Sequence, residues 1–313
     1  MKTDIKTTAV FAVFLMLIPC LAYLSGKAAR AGERAAPAQA EPGTVDVYIT
    51  AEDRVVTYEL EDYLTGAVLA QMPADFHPEA LKVQAVLART YIKHRRAEEL
   101  KSPDPSLHGA VISDDETRFE PFFTPEQAAE YYGDGYKAAC EKVIAAVRAA
   151  PEVLYFDGEP CVCAYHAASS GYTESAEVSW GVDIPYLQAA ESLSDRELGG
   201  IETEVTFGER ELLELMEKEF SVIALPEIKQ NARGFVISVT AGGKDIPVNS
   251  FVSCAGLASP CFTMEQSGDR VTFTCLGFGH LVGVSQYGAE YMAENGAGYK
   301  DILAHYYAGA ELR

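Results

Sequence analysis

Two prolines, five residues apart, constrain the local fold more than any other feature of this chain. They lie in the stretch GAVLAQMPADFHPEALKVQAVLARTY, residues 66–91. Pro73 predicts the end of a helix, because the residue before a proline avoids the helical conformation. Pro78 suits the first position of a second helix, and the apolar residues after it recur at helical spacing. The sequence therefore predicts a first helix from about Glu61 to Met72 and a second, central helix of about 18 residues.

Short strands flank these helices in an irregular order. Residues 44–64, TVDVYITAEDRVVTYELEDYL, predict two strands that lead into the first helix. Residues 234–248, GFVISVTAGGKDIPV, predict a strand, a turn and a strand. They belong to a more polar segment, residues 196–250, that is a candidate subdomain or insertion. The expected fold class is α+β, with irregular mixed helices and β-hairpins around a central long helix.

The first 44 residues predict an export signal. Lys2 and Lys6 precede a 16-residue apolar run that ends at Leu24, a length between those of a signal peptide and a membrane span. Ala29-Arg30-Ala31 is a candidate cleavage site. We expect residues 1–44 to be a signal anchor and linker, and residues 45–313 to form an extracytoplasmic domain on a single-pass membrane protein. Cleavage of the signal would make the protein secreted.

The charge of the chain argues against a nucleic acid as partner. It has 25 Lys and Arg against 46 Asp and Glu, for a formal net charge of −21, whereas phosphate binding needs a basic surface. A neutral or locally cationic polymer suits this composition better. Neither a G-x-S-x-G nucleophile elbow nor a phosphate-binding glycine loop occurs in the sequence.

The cysteines predict structural thiols. Six of the seven lie in the exported part, where disulfides are permitted without being required. Residues 153–166, VLYFDGEPCVCAYH, predict two strands about a turn at Asp157-Gly158. Alternation along the second strand places Cys161 and Cys163 on one face and His166 on the other. We therefore expect partly buried structural thiols here rather than metal ligands.

Three blocks of the sequence resemble the stage II sporulation protein D family, also called the amidase-enhancer family. They are EDYLTGAVLAQMPADFHPEALKVQAVLARTY, YHAASSGYTESAEVSWGVDIPYL and GFGHLVGVSQYGAEYMAENGAGYKDILAHYYAG, and with their connections they cover about residues 45–313. The resemblance implies a lytic transglycosylase that cleaves peptidoglycan glycan strands between N-acetylmuramic acid and N-acetylglucosamine. It also implies an N-terminal anchor and two kinds of partner during engulfment. One is a cell-wall amidase that removes stem peptides, and the other is a set of membrane sporulation proteins.

The chain departs from the pattern of this family at three places. Gln71-Met72-Pro73 stands where the family usually has Glu-Met-Pro, and Gly279-His280-Leu281 stands where it usually has Gly-His-Gly. Some relatives also bind zinc through one His and several Cys between the first two blocks. Here His108 is kept, and the residues that accompany it are Asp114, Phe119 and Glu120. We expect no metal site and no cofactor.

The implied reaction needs one carboxylic acid, which protonates the leaving oxygen and then acts as a base while the 6-hydroxyl of the sugar attacks. Position 71 closes a helix, where unsatisfied carbonyls favour a protonated acid, but the amide of Gln71 cannot give up a proton. Glu79 lies in the first turn of the next helix, where the positive helix end lowers a carboxyl pKa. It is either the acid or only a charge that complements the helix dipole.

Two hypotheses about function therefore remain open. In the first, the protein is an active transglycosylase that uses Glu79. In the second, the substitution at Gln71 marks a glycan-binding pseudoenzyme that presents strands to, or activates, an amidase. The first requires a purified protein that cleaves glycan strands, and the second requires one that does not.

Seven further residues are candidates for substrate binding. His280 lies in a glycine-flanked loop, followed by hydroxyl and amide groups that match sugar donors and acceptors, and an exposed tyrosine face can stack on a pyranose ring. The candidates are Arg89, Tyr91, Tyr172, His280, Ser285, Gln286 and Tyr287. Structural alternatives stay open for three of them: a hydrogen-bonded core residue for His280, a helix cap for Ser285 and an ion pair for Arg89. Arg89 and Tyr91 are two positions apart and cannot face the same side of a helix.

Overall fold

The computed structural model describes residues 43–197 and 199–313. The expected anchor and cleavage site lie outside the described residues. Within them, no helix is both long enough and apolar enough to cross a membrane. The described chain divides into two compact units. The first unit comprises residues 43–164, Met292–Ala304 and Gly309–Arg313, and the second comprises Tyr165–Tyr291 and His305–Ala308.

The first unit contains helices and short strands. Its helices are α1 (Leu60–Gln71), α2 (Pro78–Lys101), α3 (Pro125–Tyr132) and α4 (Tyr136–Ala149). Its strands are β1 (Thr44–Ile49), β2 (Arg54–Glu59), β3 (Ile112–Ser113), β4 (Leu154–Phe156) and β5 (Glu159–Pro160). Strand β1 pairs antiparallel with β2 and parallel with β3. The two strands predicted ahead of the first helix are confirmed.

The second unit carries antiparallel sheets and short helices. Its strands are β6 (Tyr165–His166), β7 (Glu202–Gly208), β8 (Glu227–Gln230), β9 (Val236–Ala241), β10 (Lys244–Ile246), β11 (Phe262–Ser267), β12 (Arg270–Leu276) and β13 (Val284–Ser285). Its helices are α5 (Ala176–Trp180), α6 (Ser194–Glu197), α7 (Glu209–Phe220) and α8 (Val248–Cys254), and α9 (Gln286–Glu294) begins in it. Two later elements return to the first unit: most of α10 (Tyr299–Tyr306) and all of β14 (Glu311–Leu312), which pairs antiparallel with β4.

The predicted helix pair is confirmed, with one correction of length. Helix α1 ends one residue before the expected boundary, and Pro78 is the first residue of α2. Helix α2 has 24 residues, longer than expected, because its last turns consist of good helix formers and carry the i,i+4 ion pair between Arg95 and Glu99. It ends before Pro103, whose preceding residue cannot continue a helix. It packs against α1 and α4, in the core as predicted.

The second unit confirms the predicted strand, turn and strand. Strands β9 and β10 pair antiparallel across Gly242 and Gly243, which both have positive φ. A second sheet has the order β11-β12-β7, and the buried rings of Phe251, Phe262 and Phe273 pack together beneath it. Helices and small sheets occur in both units, so the α+β class is confirmed. The candidate subdomain at residues 196–250 lies within the second unit and stays a prediction.

The hairpin near the cysteines is shorter than predicted. Strands β4 and β5 pair across Asp157 and Gly158, both at positive φ, as a two-residue hairpin turn requires. Strand β5 ends at Pro160, so Cys161 and Cys163 follow the hairpin instead of alternating within it. Their exposed fractions are 1% and 5%, which is deeper than the partial burial expected. The six cysteines among the described residues are free thiols.

Candidate functional site

The amide of Gln71 is buried and held by three partners in the first unit. Its Nε2 donates to the Pro121 carbonyl at 2.8 Å and lies 3.4 Å from Oε2 of Glu120, while its Oε1 accepts from Nε2 of Gln84 at 2.7 Å. Because the Gln84 amide donates to the oxygen, the nitrogen of Gln71 must face Glu120. Helix α1 thus ends on a side chain whose orientation is fixed by its neighbours.

Glu120 is the functional candidate that sequence reasoning missed. It lies in the segment 119–124, which forms neither helix nor strand, and only 5% of the residue is exposed. It lines a pocket of about 340 Å³. The signal in the sequence was a single acid in the apolar run Phe119-Glu120-Pro121-Phe122-Phe123, since a charged residue among such neighbours is buried only with partners.

Gln71, Gln84 and Glu120 form a first cluster of polar side chains, which Tyr91 contacts and Arg89 does not. The backbone N–H of Glu120 donates to the hydroxyl of Tyr91 at 3.3 Å. Burial raises the pKa of Tyr91 above its usual value, and Glu120, when ionised at the alkaline pH where a tyrosine titrates, raises it further. Arg89 instead reaches α4, where its Nη2 lies 3.4 Å from the Val147 carbonyl. The two side chains face different segments, as their two-residue spacing predicted.

Glu79 is held as a carboxylate anion. One oxygen pairs with Lys82 of the same helix, and the other accepts the backbone N–H of Tyr299 at 2.9 Å, at the start of α10. Burial of Glu79 acts to raise its pKa, but the hydrogen bonds from Lys82 and Tyr299 outweigh burial, and the net pKa is lowered. These contacts match a charge that complements two helix N-termini, and they do not favour a proton donor.

A pair of buried histidines forms a second cluster, within the second unit. The rings of His166 and His280 are 6.0 Å apart. His280 accepts the Val282 N–H at Nδ1 (3.0 Å), and His166 donates from Nδ1 to the Val282 carbonyl (3.2 Å). Burial lowers the pKa of His166 to about 4. Burial, with His166 beside it, lowers the pKa of His280 to about 3, so both rings are neutral.

Trp180 lies against this pair, 5.2 Å from the His280 ring. Its Nε1 and the Nε2 of His166 are buried with no hydrogen-bond partner among the described residues. One is a donor, and the other is an acceptor because Nδ1 of His166 carries the proton. The cluster therefore contains polar groups that suit a hydroxyl ligand or an ordered water molecule.

The other candidates of the second unit have structural contacts. Ser285 caps α9, accepting the Gly288 N–H at 3.1 Å, and donates to Asp195 at 2.8 Å, so the predicted cap is confirmed. Gln286 is buried, with 3% exposed, and Tyr287 packs against the hydrophobic core. Tyr172 is half-buried and forms a β-bridge with Glu191. Substrate binding by these four residues stays a prediction.

The departure at Leu281 has a backbone consequence. Its φ is +61°, in the left-handed region that costs a non-glycine residue of order 1 kcal/mol or more, and this is where the resembling family usually has glycine. The leucine side chain is fully buried against Phe235 and Cys261. Burial of a leucine contributes roughly 1.5–3 kcal/mol and offsets the strain.

Among the described residues, no group of three or more His, Cys, Asp or Glu side chains is arranged to hold a metal ion. His108 instead packs its ring 4.7 Å from that of Tyr48. Burial raises the pKa of the Cys163 thiol well above its usual value, which favours the neutral thiol over the thiolate that a metal would bind.

Comparison with known proteins places these sites in context. The family described as "Stage II sporulation protein" matches residues 48–155, which include Gln71, Glu79 and Glu120. Stage II sporulation protein D of Bacillus subtilis (strain 168) is 33% identical over 277 residues, covering 88% of this chain and 80% of that protein. Its counterpart in Bacillus amyloliquefaciens is 33% identical over 274 residues, covering 87% and 79%. The "Amidase enhancer" of Bacillus subtilis is 24% identical, covering 80% of this chain and 40% of the longer relative.

Proposed function

Because the chain belongs to the stage II sporulation protein D family, we propose that it remodels the cell wall during sporulation by cleaving peptidoglycan glycan strands. The names of the relatives support the broader part of this proposal, since they refer to sporulation and to an amidase. The bond cleaved is the one between N-acetylmuramic acid and N-acetylglucosamine, and the product is an anhydro-muramyl end.

The observation that carries the cleavage step is the carboxyl group of Glu120, which lies 3.4 Å from the side chain of Gln71, the position where the family usually has its glutamate. The pocket that Glu120 lines is also lined by Glu52, Asp114 and Glu116. The reaction consumes no water and requires one group that gives a proton to the leaving oxygen and then accepts the proton of the attacking hydroxyl. A single carboxyl group performs both steps, so the amide at Gln71 does not by itself abolish the chemistry.

Partners and location are part of the same proposal. The protein acts with a cell-wall amidase that removes stem peptides and with membrane sporulation proteins of the engulfing cell. A single-pass anchor within residues 1–44 holds the domain on the outer side of the membrane. The net charge of −21 is consistent with a polymer other than nucleic acid as substrate.

A second candidate function is favoured by the state of two side chains. Gln71 cannot donate a catalytic proton, and Glu79 is held ionised by Lys82 and the start of α10. A protein with both features and no other acid binds glycan strands without cleaving them. It then presents denuded strands to the amidase or activates that enzyme.

The test is to incubate the purified full-length protein with peptide-free glycan strands and to search the products for anhydro-muramyl ends by mass spectrometry. Their appearance supports the proposed cleavage. Their absence, with strand binding retained and the amidase stimulated, supports the second function. If Gln71→Glu then generates the ends, the cleft is intact and the natural protein is the binding partner.

A further inference from the structure

We infer that Glu120 is the catalytic acid of this chain and that Gln71 is the residue that positions it. This inference rests on the proposed cleavage of glycan strands. It assigns the proton donor to a different segment, 49 positions further along the chain, from the helix end where the resembling family usually has its glutamate.

The first argument is distance. Glutamine and glutamate have the same shape, so Nε2 of Gln71 marks where an oxygen of a glutamate at that position would lie. Oε2 of Glu120 is 3.4 Å from this nitrogen, about the length of one long hydrogen bond. The carboxyl of Glu120 therefore lies beside the usual acid position and can reach much of the same space.

The second argument is orientation. Gln84 donates to Oε1 of Gln71, and the Pro121 carbonyl accepts from Nε2, so the amide cannot turn over without losing both bonds. An amide N–H is accepted best by the carbonyl oxygen of a neutral carboxyl group. The contact with Oε2 therefore favours Oε1 as the oxygen of Glu120 that carries the proton.

The third argument is environment. Glu120 is 5% exposed and lies in the sequence between the buried residues Phe119 and Phe122, and a carboxyl group removed from water is harder to ionise. It still borders a pocket of about 340 Å³, at the small end of the roughly 300–1,000 Å³ typical of ligand sites. Tyr58, Thr124 and Gln127 also line this pocket and supply hydroxyl and amide groups of the kind that bind sugars.

The chemical step balances without any further reactant. The bond between C1 of the muramic acid and O4 of the next sugar breaks, and its electron pair goes to O4, which takes the proton of Glu120. The 6-hydroxyl oxygen of the same muramic acid forms a bond to C1. Its proton passes to the carboxylate of Glu120, which is thereby restored.

The test compares matched Glu→Gln variants of the full chain on peptide-free glycan strands. E120Q removes the inferred acid, E79Q removes the competing one, and E61Q is the control, because Glu61 is an α1 residue paired with Arg148 away from the pocket. The swapped variant Q71E/E120Q exchanges the two side chains, so that the carboxyl group lies at position 71 and the amide at position 120. Thermal unfolding of every variant separates loss of chemistry from loss of fold.

We expect E120Q to lower the rate of formation of anhydro-muramyl ends by about 10²–10⁴-fold, the usual contribution of a general acid. E61Q keeps the rate of the natural chain, and the swapped variant recovers part of what E120Q loses. An infrared band of a protonated carboxyl at neutral pH, absent from E120Q, supports the assignment independently of turnover.

Two other outcomes overturn the inference, and they differ from failure of the proposed function. If E120Q cleaves at the rate of the natural chain, or if E79Q abolishes cleavage while E120Q does not, the protein is a transglycosylase whose acid is not Glu120. If the natural chain cleaves nothing while Q71E does, the proposed function fails, and the assignment of Glu120 fails with it.

Discussion

Replacing Gln71 with glutamate brings two carboxyl groups next to each other, and the resulting change in stability shows whether Glu120 holds a proton. The introduced oxygen takes the place of Nε2, 3.4 Å from Oε2 of Glu120. The Pro121 carbonyl, which now accepts from that nitrogen, also requires a donor there. Both contacts therefore favour a pair that retains one proton.

The size of the effect follows from this distance. Two unit charges 3.4 Å apart repel by about 5 kcal/mol at an effective dielectric constant of about 20. This corresponds to between three and four pKa units, shared by the pair as a whole. Over that interval the folded variant keeps a proton that its unfolded chain has lost, so raising the pH favours unfolding by about 1.4 kcal/mol per pH unit.

The pH at which the variant and the natural chain diverge is the informative quantity. A Glu120 that is neutral near pH 7 already keeps one proton in the folded natural chain. The two stability curves then run parallel in acid and separate only above neutrality. The neighbouring groups do not obscure this separation, because burial raises the pKa of Tyr63, Tyr91 and Cys163, and Arg95 stays charged throughout.

Urea unfolding at half-unit steps from pH 3.5 to pH 9 measures both curves, so that a separation beginning at the usual pKa of a glutamate falls within the scan. The double variant Q71E/E120Q is the control, because it has one carboxyl in the pair and should follow the shape of the natural curve. Separation that begins near pH 4–5, the usual range of a glutamate, means that Glu120 is ionised and refutes its assignment as the acid. Parallel curves throughout mean that the two side chains are not adjacent.

Three further predictions concern stability. Gly66→Ala should lower the free energy of unfolding in urea by about 1–2 kcal/mol, because a Cβ there would lie 2.2 Å from a backbone carbonyl oxygen. The matched variant Gly135→Ala lies at a helical φ with open space around it and should raise the free energy of unfolding by about 0.4–1 kcal/mol. The pKa of His280 is lowered to about 3 in the folded chain. Below about pH 6.5 the unfolded chain therefore binds a proton that the folded chain does not, and the protein loses stability as the pH falls. His280→Asn should remove roughly 2 kcal/mol of that loss at pH 5. Glu79→Gln removes a charged acceptor and should raise the hydrogen-exchange rate of the Tyr299 amide about fivefold, for a cap worth about 1 kcal/mol.

Local signals in the sequence were sufficient to predict the helix pair. Pro73 and Pro78 act on their own backbone and on the residue before them, so the boundaries of α1 and α2 follow from chemistry within a few positions. The C-terminal boundary of α2 was missed because the turns after Tyr91 are polar, and their helical tendency comes from propensity and ion pairs rather than from apolar spacing.

The two side-chain clusters depend on tertiary contacts that no local pattern encodes. Gln71 and Glu120 are 49 residues apart, and the two histidines meet because β6 and β13, far apart in sequence, pair in parallel. Helical spacing correctly predicted that Arg89 and Tyr91 face different sides of α2, but it could not identify the segment that each side chain would contact. The depth at which Cys161 and Cys163 are buried was likewise set by packing beyond the hairpin.

The amide at position 71 and the carboxyl at position 120 are best understood together. A glutamate at both positions would give a dyad that loses stability as the pH rises, and a glutamine at both would leave no carboxyl group in this pair of side chains. Glutamine at 71 with glutamate at 120 keeps one carboxyl and gives it a neutral donor as neighbour, which avoids the charge repulsion. If Glu120 is the acid, as we infer, the departure from the usual Glu-Met-Pro pattern is compatible with cleavage only while Glu120 is present. The double-variant cycle must accordingly show strong coupling between the two sites, in cleavage as well as in stability.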